Sequence, residues 1–258
     1  MLEIVGAGRV GSAIHRRMVA AGTPGRLLAR QDGGRSIAAD GQGPILVATR
    51  NDDLRAVLDA VPAARHPDLV FVQNGMIRPL LREFGLEGAT RGLLFFAVPG
   101  RGDDLAPGGN SPFCGPHAAA VVAMFTALEI PAEVLQPAAF AAVELEKLVW
   151  NSAFGLLCQA LETDVGGVLA DARCDALLRE LIACGAQALA LDVDSTAMVR
   201  RLRAYSASIP GYRGAVKEWS WRNAFFVEAA AAAGASLPVH EELCAGIFTS
   251  ASGPASTG

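Results

Sequence analysis

The chain has 258 residues, of which 52% are hydrophobic and 19% charged, with a formal net charge of −4. This length suits two domains, and the acidic excess argues against a surface that binds the phosphate backbone of nucleic acid. Five scattered cysteines without a CxxC pair, and the lack of a long uncharged apolar run, lead us to expect a cytoplasmic protein without disulfides or membrane spans.

Short apolar strands alternate with helices in the first half of the chain. We expect helices over residues 10–21 and from residue 51 onward, and strands at 2–5, 26–29, 44–48, 69–72 and 92–98. Such alternation is typical of α/β proteins. It predicts a Rossmann-type, doubly wound parallel sheet with helices on both faces.

A glycine-rich loop joins the first strand to the first helix. It consists of Gly6, Ala7, Gly8, Arg9, Val10 and Gly11. At this spacing, the first glycine permits a tight turn, the second lets a diphosphate approach the backbone, and the third lets the helix pack closely on the strand. The helix N-terminus then offers free N–H groups to the phosphates. The loop therefore predicts a nicotinamide dinucleotide site, with a merely tight turn as the alternative.

The end of the second expected strand bears on the choice between NAD and NADP. An NAD enzyme usually has an acidic residue there to bind the ribose 2′-hydroxyl, whereas this strand is followed by Arg30. An arginine suits a 2′-phosphate because its guanidinium forms charge-assisted hydrogen bonds. Arg30 thus favours NADP(H), although Asp32 could compete and Arg30 could be a solvated loop cation.

From about residue 136 the pattern becomes helical. We expect helices over residues 138–161, 176–191, 196–205 and 216–233. The sequence therefore predicts an NADP-binding Rossmann-type domain over residues 1–134 and an all-helical substrate and catalytic domain over 135–258, with the substrate in a cleft between them. Histidines and cysteines show no paired ligand spacing, so no metal is expected.

Two segments carry polar side chains suited to a reaction on a carbonyl group. Lys147 and Asn151 are four residues apart and share one helix face, where they can polarise a carbonyl. Alternatively, Lys147 is a surface lysine paired with Glu144 or Glu146. Asn74 follows the fourth strand, where doubly wound sheets bind ligands. Asn-Gly is also a common turn dipeptide.

Together these features resemble the ketopantoate reductase (2-dehydropantoate 2-reductase) family over nearly the whole chain. The shared elements are the glycine loop, a strand followed by Gln-Asn-Gly, the Lys-x3-Asn helix, and a Ser-x11-Glu-x4-Asn array at Ser206, Glu218 and Asn223. The resemblance implies a cytoplasmic enzyme of pantothenate biosynthesis or a related reaction, which uses NADPH to reduce the ketone of a small 2-oxo acid. A homodimer is a further expectation, since helical second domains often supply dimer contacts.

The resemblance also implies a role for each polar residue. Lys147 would donate a proton to the keto oxygen, and Glu218 would help to organise that lysine and the substrate. Asn74 would lie between the nicotinamide site and the substrate. Asn151 would bind the hydroxyl end of the substrate, and Ser206 would hold its carboxylate.

The sequence departs from the family pattern in the substrate region. Gly155 replaces a second asparagine on the lysine helix, and Pro210 replaces an acidic residue. Loss of the asparagine removes a hydrogen-bond partner and is expected to open space for a different or bulkier 2-oxo acid. Two alternatives remain, another β-hydroxyacid-type dehydrogenase and a non-catalytic NADP(H)-binding sensor protein.

Overall fold

The computed structural model describes residues 1–29 and 34–250. Contacts between Cα atoms divide the chain into two compact units, Met1–Phe140 and Ala141–Gly258. The division falls a few residues after the predicted boundary at residue 134.

The first unit is an α/β structure. Its helices are α1 (Arg9–Ala20), α2 (Leu54–Ala60), α3 (Arg78–Glu83) and α4 (Ala118–Ala127), with 3₁₀ turns at Asn51–Asp53 and Ala63–Asp68. Its strands are β1 (Leu2–Val5), β2 (Gly25–Leu28), β3 (Ile45–Val47), β4 (Leu69–Phe71), β5 (Thr90–Gly92), β6 (Phe96–Ala97), β7 (Ala106–Pro107), β8 (Ser111–Cys114) and β9 (Ala132–Val134).

A seven-stranded sheet in the order β2-β1-β3-β4-β5-β8-β9 forms the centre of this unit. Its first five strands run parallel, β8 is antiparallel to β5, and β9 is parallel to β8. The chain leaves β1 on one side to form β2 and returns on the other side to form β3. Sheets of this kind bind ligands at such a switch point. The predicted Rossmann-type architecture is thus confirmed.

The fifth strand was predicted wrongly. The segment expected as one strand over residues 92–98 contains the end of β5 and all of β6, which belong to different sheets. The chain leaves the large sheet after Gly92, where β8 pairs with β5 in the opposite direction. Strand β6 pairs with β7 instead. Neither β8 nor β9 was predicted.

Burial explains why the first strands lack alternation between polar and apolar residues. Every residue of β1, β3 and β4 is buried, as expected for parallel strands covered on both faces. Helix α1 contributes Ile14 and Met18 to the core, and the rings of Phe113 and Phe125 meet edge to face with centroids 5.2 Å apart. This core holds the carboxyl ends of the strands in fixed positions.

The second unit is helical, as predicted. The helices of this part of the chain are α5 (Pro137–Ala160), α6 (Val165–Ala170), α7 (Arg173–Ala188), α8 (Ser195–Ala207), α9 (Asn223–Ala233) and α10 (Pro238–Ser250). Helix α7 contacts α6, α8, α9 and α10. Among the described residues, no helix is both long enough and apolar enough to cross a membrane.

The last helix predicted before the C-terminal segment is shorter than expected. The sequence pattern predicted a helix over residues 216–233, but α9 begins only at Asn223. Glu218 has a left-handed backbone with φ of 49°, and a 3₁₀ turn follows at Trp219–Trp221. An L-residue in the left-handed region interrupts a right-handed helix, so residues 216–222 form an irregular segment.

Candidate functional site

The glycine loop is held in close backbone contact with its neighbours. Gly6 has φ of 117°, and a Cβ atom there would lie 2.8 Å from the carbonyl carbon of Ala48, just after β3. A Cβ atom on Gly11 would lie 2.1 Å from the carbonyl oxygen of Gly6. Since neither space admits a side chain, both glycines are required for α1 to pack against β1.

The middle of the loop is open. Ala7, Gly8 and Arg9 are exposed, and a Cβ atom on Gly8 would meet no atom of the described residues within 4 Å. No side chain in the described part of the chain caps α1 at Gly8. The first N–H groups of α1 are therefore available for the oxygens of a diphosphate.

The side chains of Arg9 and Val10 point away from the open part of the loop, so these residues contribute to it through their backbone. The guanidinium of Arg9 donates hydrogen bonds to the carbonyl oxygens of Val98 and Pro99, at 3.5 and 3.0 Å. Val10 is partly buried and packs against the core. The charge of Arg9 is thus directed to a neighbouring loop.

Unsatisfied polar atoms lie beside the switch point. Gln73 donates hydrogen bonds from Nε2 to the carbonyl oxygens of Val47 and Thr49, at 2.8 and 3.2 Å. Its Oε1 atom and the Oγ1 atom of Thr49 are buried and make no hydrogen bond within the described residues. Because buried polar atoms are normally satisfied, a bound ligand is one explanation for this pair.

Asn74 lies just beyond β4 with an exposed side chain. Its carbonyl oxygen accepts a hydrogen bond from Nδ2 of Asn51 at 2.6 Å. Asn51 is only 2% exposed and fixes the backbone that carries Asn74. From the sequence, residue 51 was expected only to open a helix, and this contact was not predicted. Its position in the loop that follows the third apolar strand was the available signal.

The residues that bear on the choice of dinucleotide, Arg30 and Asp32, lie outside the described residues. The assignment of Arg30 to the 2′-phosphate therefore stays a prediction.

In the second unit, Lys147 and Asn151 share one face of α5, and Nδ2 of Asn151 donates to the carbonyl oxygen of Lys147 at 2.9 Å. Burial lowers the pKa of Lys147 to about 7, and the positive charge of Arg222 lowers it further in the same direction. Lys147 thus has the acidity of a proton donor at neutral pH.

Glu218 lies next to Arg222, which was not among the predicted site residues. The guanidinium of Arg222 donates from Nη2 to Oε2 of Glu218 at 2.6 Å. The side chain of Arg222 is 11% exposed and that of Glu218 is 28% exposed. Glu218 therefore holds the cation that acts on Lys147. The four-residue spacing between an acid and a base was the sequence signal for this pair.

Ser206 is fully buried on α8. Its Oγ atom accepts a hydrogen bond from Nε1 of Trp150 at 3.0 Å. The ring of Trp150 stacks on Phe154 and meets Tyr205 edge to face, with centroids 5.6 and 5.3 Å away. The Ser206 hydroxyl is therefore closed to solvent and has the indole of Trp150 as a hydrogen-bond partner.

The expectation that Gly155 opens space is wrong. A Cβ atom on Gly155 would lie 2.8 Å from the carbonyl oxygen of Ala215, and one on Gly214 would lie 2.9 Å from that of Phe154. The backbone of residues 214–216 fills the volume that a side chain would occupy. Gly155 thus permits close contact between α5 and this segment, and the missing side chain leaves no open space at this position.

Within residues 1–29 and 34–250, no group of three or more histidine, cysteine, aspartate or glutamate side chains is arranged to hold a metal ion.

Comparisons with known proteins establish the fold. No protein-family model and no curated protein matches the chain. Solved structures that resemble it include a ternary complex of D-mandelate dehydrogenase with NADH and anilino(oxo)acetate, at 12% identity over 96% of this chain and 98% of that chain, with a TM-score of 0.75.

Two further solved structures are ketopantoate reductases by name. The protein from Ralstonia eutropha JMP134 is 20% identical over 96% of this chain and 98% of its own, with a TM-score of 0.74. The 2-dehydropantoate 2-reductase from Methylococcus capsulatus is 17% identical over 100% and 99%, with a TM-score of 0.75. The resemblance to ketopantoate reductases is confirmed for the fold, across nearly the whole chain.

The contact at Gly155 yields a stability prediction. A Gly155→Ala substitution is expected to lower the free energy of unfolding by about 1–3 kcal/mol, because the new methyl group meets a backbone carbonyl that cannot rotate away. Urea unfolding followed by circular dichroism measures the change.

Gly246→Ala is the matched control. Gly246 is an exposed position in α10 where a Cβ atom would meet no described atom within 4 Å. There the helix preference of alanine is expected to raise stability by up to about 1 kcal/mol. Equal midpoints for the two variants would contradict the close contact at Gly155.

Proposed function

We propose that the protein is an NADPH-dependent oxidoreductase that reduces the ketone of a small 2-oxo acid to the 2-hydroxy acid. The observation that carries the proposal is the partly buried Lys147, whose pKa of about 7 suits proton donation at neutral pH. The fold shared with ketopantoate reductases and with an NADH-bound D-mandelate dehydrogenase supports it. Ketopantoate and related 2-oxo acids are the substrates to test first.

The first unit would hold the dinucleotide. The open backbone at Gly8 and the uncapped start of α1 fit a diphosphate. The unsatisfied atoms of Thr49 and Gln73 can bond further polar groups of the same ligand. Arg30 would bind the 2′-phosphate. When bound, the nicotinamide supplies a hydride for the ketone carbon.

The second unit would supply the proton. Reduction of a ketone places negative charge on its oxygen, and a protonated Lys147 stabilises this charge and transfers its proton there. Asn151, on the same face of α5, would hold the hydroxyl end of the substrate. Glu218 would act through Arg222, to which it is hydrogen-bonded.

A panel of 2-oxo acids tests the function. We expect the wild type to oxidise NADPH in the presence of at least one of them, measured by the loss of its absorbance, and Lys147→Ala to reduce kcat by about 10²–10⁴-fold, as for loss of a general acid. Turnover that is absent with every 2-oxo acid, despite tight NADPH binding, would favour the cofactor-binding sensor.

The pH dependence follows from the acidity of Lys147. Reduction needs the protonated amine, so kcat/KM is expected to fall by about tenfold per pH unit above about pH 7, where the amine loses its proton. Lys147→Arg is the control, because arginine stays charged throughout this range. A profile with the same alkaline limb in both proteins would show that another group titrates.

Gly8→Ala separates cofactor binding from folding. The unfolding midpoint is expected to stay unchanged, because a Cβ atom at Gly8 meets nothing within 4 Å of it in the described part of the chain. Affinity for NADPH is expected to fall at least about tenfold, since the glycine lets the diphosphate approach the backbone. Gly88→Ala, in an exposed loop with the same open surroundings, should bind NADPH normally.

Arg30→Ala tests the choice of dinucleotide. Loss of charge-assisted hydrogen bonds to a 2′-phosphate is expected to raise KM for NADPH by about tenfold or more and leave KM for NADH nearly unchanged. An equal effect on both cofactors would contradict the assignment of NADP.

A further inference from the structure

The carboxylate of a 2-oxo acid needs a partner in this site. A charged group removed from water must be paired, because its desolvation is otherwise strongly unfavourable. The family resemblance assigns this carboxylate to Ser206, yet Ser206 is fully buried and its Oγ atom already accepts a hydrogen bond from Trp150. The hydroxyl could still donate its own proton, but a carboxylate would reach it only if the side chains that bury Ser206 moved.

Arg222 has unused capacity to bind an anion. Its side chain is 11% exposed, and Glu218 accepts a hydrogen bond from Nη2 alone. The Nε atom is buried and makes no hydrogen bond within the described residues. A guanidinium carries five N–H donors in a planar fork that matches a carboxylate. A buried donor without an acceptor is unfavourable, and a ligand oxygen would satisfy it.

The charges near Arg222 are suited to an anionic ligand. Arg222 lies close enough to Lys147 for its charge to lower the pKa of that amine. The protonated lysine and the arginine carry two positive charges, and Glu218 carries one negative charge. A monoanion would balance this group of three side chains and reduce the repulsion between the two cations.

We propose that Arg222 binds the carboxylate of the substrate, while Glu218 fixes the orientation of the guanidinium. The inference rests on the proposed function, because it names the residue that recognises the acid group of the same 2-oxo acid. The substrate ketone would then lie with its carboxylate on Arg222 and its oxygen on Lys147. Ser206 would have a structural role beneath Trp150.

Binding of oxamate, an unreactive mimic of a 2-oxo acid, tests the proposal without turnover. Isothermal titration calorimetry of the full chain with saturating NADPH should show wild-type binding. We expect Arg222→Gln to raise the Kd for oxamate at least tenfold with NADPH affinity unchanged. Arg222→Lys keeps the positive charge and the pairing with Glu218 but loses the planar pair of N–H donors. Its Kd for oxamate should therefore lie between those of the wild type and Arg222→Gln.

Two further variants give the contrast. Arg173→Gln removes an arginine that is paired with Asp171 at 2.9 Å in the same unit, and it should leave oxamate binding unchanged. Ser206→Ala is expected to change the Kd for oxamate less than threefold, because the proposal gives the serine no contact with the carboxylate.

Several results would overturn the proposal. The first is equal affinity for oxamate in the wild type and in Arg222→Gln. The second is weaker binding of oxamate by Ser206→Ala together with unchanged binding by Arg222→Gln. The third is failure of the wild type to bind oxamate. None of them decides the proposed function, which is tested by turnover of the 2-oxo acids themselves.

Discussion

Backbone contact at the end of β1 determines how the first unit is built. Helix α1 approaches so closely that a Cβ atom on Gly11 would lie 2.1 Å from the carbonyl oxygen of Gly6. On its other side, Gly6 lies against the backbone that leaves β3 at Ala48. These two contacts fix the start of α1 over the switch point of the sheet, where a diphosphate can reach its N–H groups. Strands β1 and β3 are buried along their whole length, so they hold the glycine loop in a fixed position relative to the sheet.

In the second unit, the controlling interaction is electrostatic. Lys147 is largely removed from water and close to a second cation, Arg222, which is in turn held by Glu218. Each of these conditions has a chemical consequence: desolvation makes the amine a better acid, and the ion pair keeps the second cation in place. An irregular segment with a left-handed residue at Glu218 carries this pair. The acidity of Lys147 therefore depends on this irregular segment as well as on the helix that carries the lysine.

The sequence predicted the features that depend on local pattern. Apolar runs located β1, β3 and β4, and the spacing of three glycines located the start of α1. Tertiary contacts could not be predicted from the sequence. Periodicity could not reveal that Glu218 interrupts a helical pattern, because the residues around it are compatible with a helix. Similarly, β8 (SPFC) and β9 (AEV) contain no uninterrupted run of aliphatic residues like that of β3, and they form by pairing with β5 and with each other.

In the candidate site, too, local pattern could be predicted from the sequence and tertiary contacts could not. Lys147 and Asn151 were predicted from helical spacing, and Asn74 from its place after a strand; their roles stay predictions. The surroundings of Ser206 and the partner of Glu218 depend on side chains distant in sequence, such as Trp150 on α5. Gly155 was misinterpreted for this reason. The absence of a side chain indicates open space only if no other backbone occupies the volume, and here residues 214–216 do.

The contact between Gly155 and Ala215 has an evolutionary consequence. The segment that rests on Gly155 leads directly to Glu218 and Arg222, so the identity of residue 155 and the position of the arginine are linked. An asparagine at 155 would displace the segment, and with it the cation near Lys147. The effects of substitutions at 155 and 222 should therefore be epistatic: each is tolerated or not according to the residue at the other position. Coupling of this kind is expected between positions that share a contact or a backbone shift.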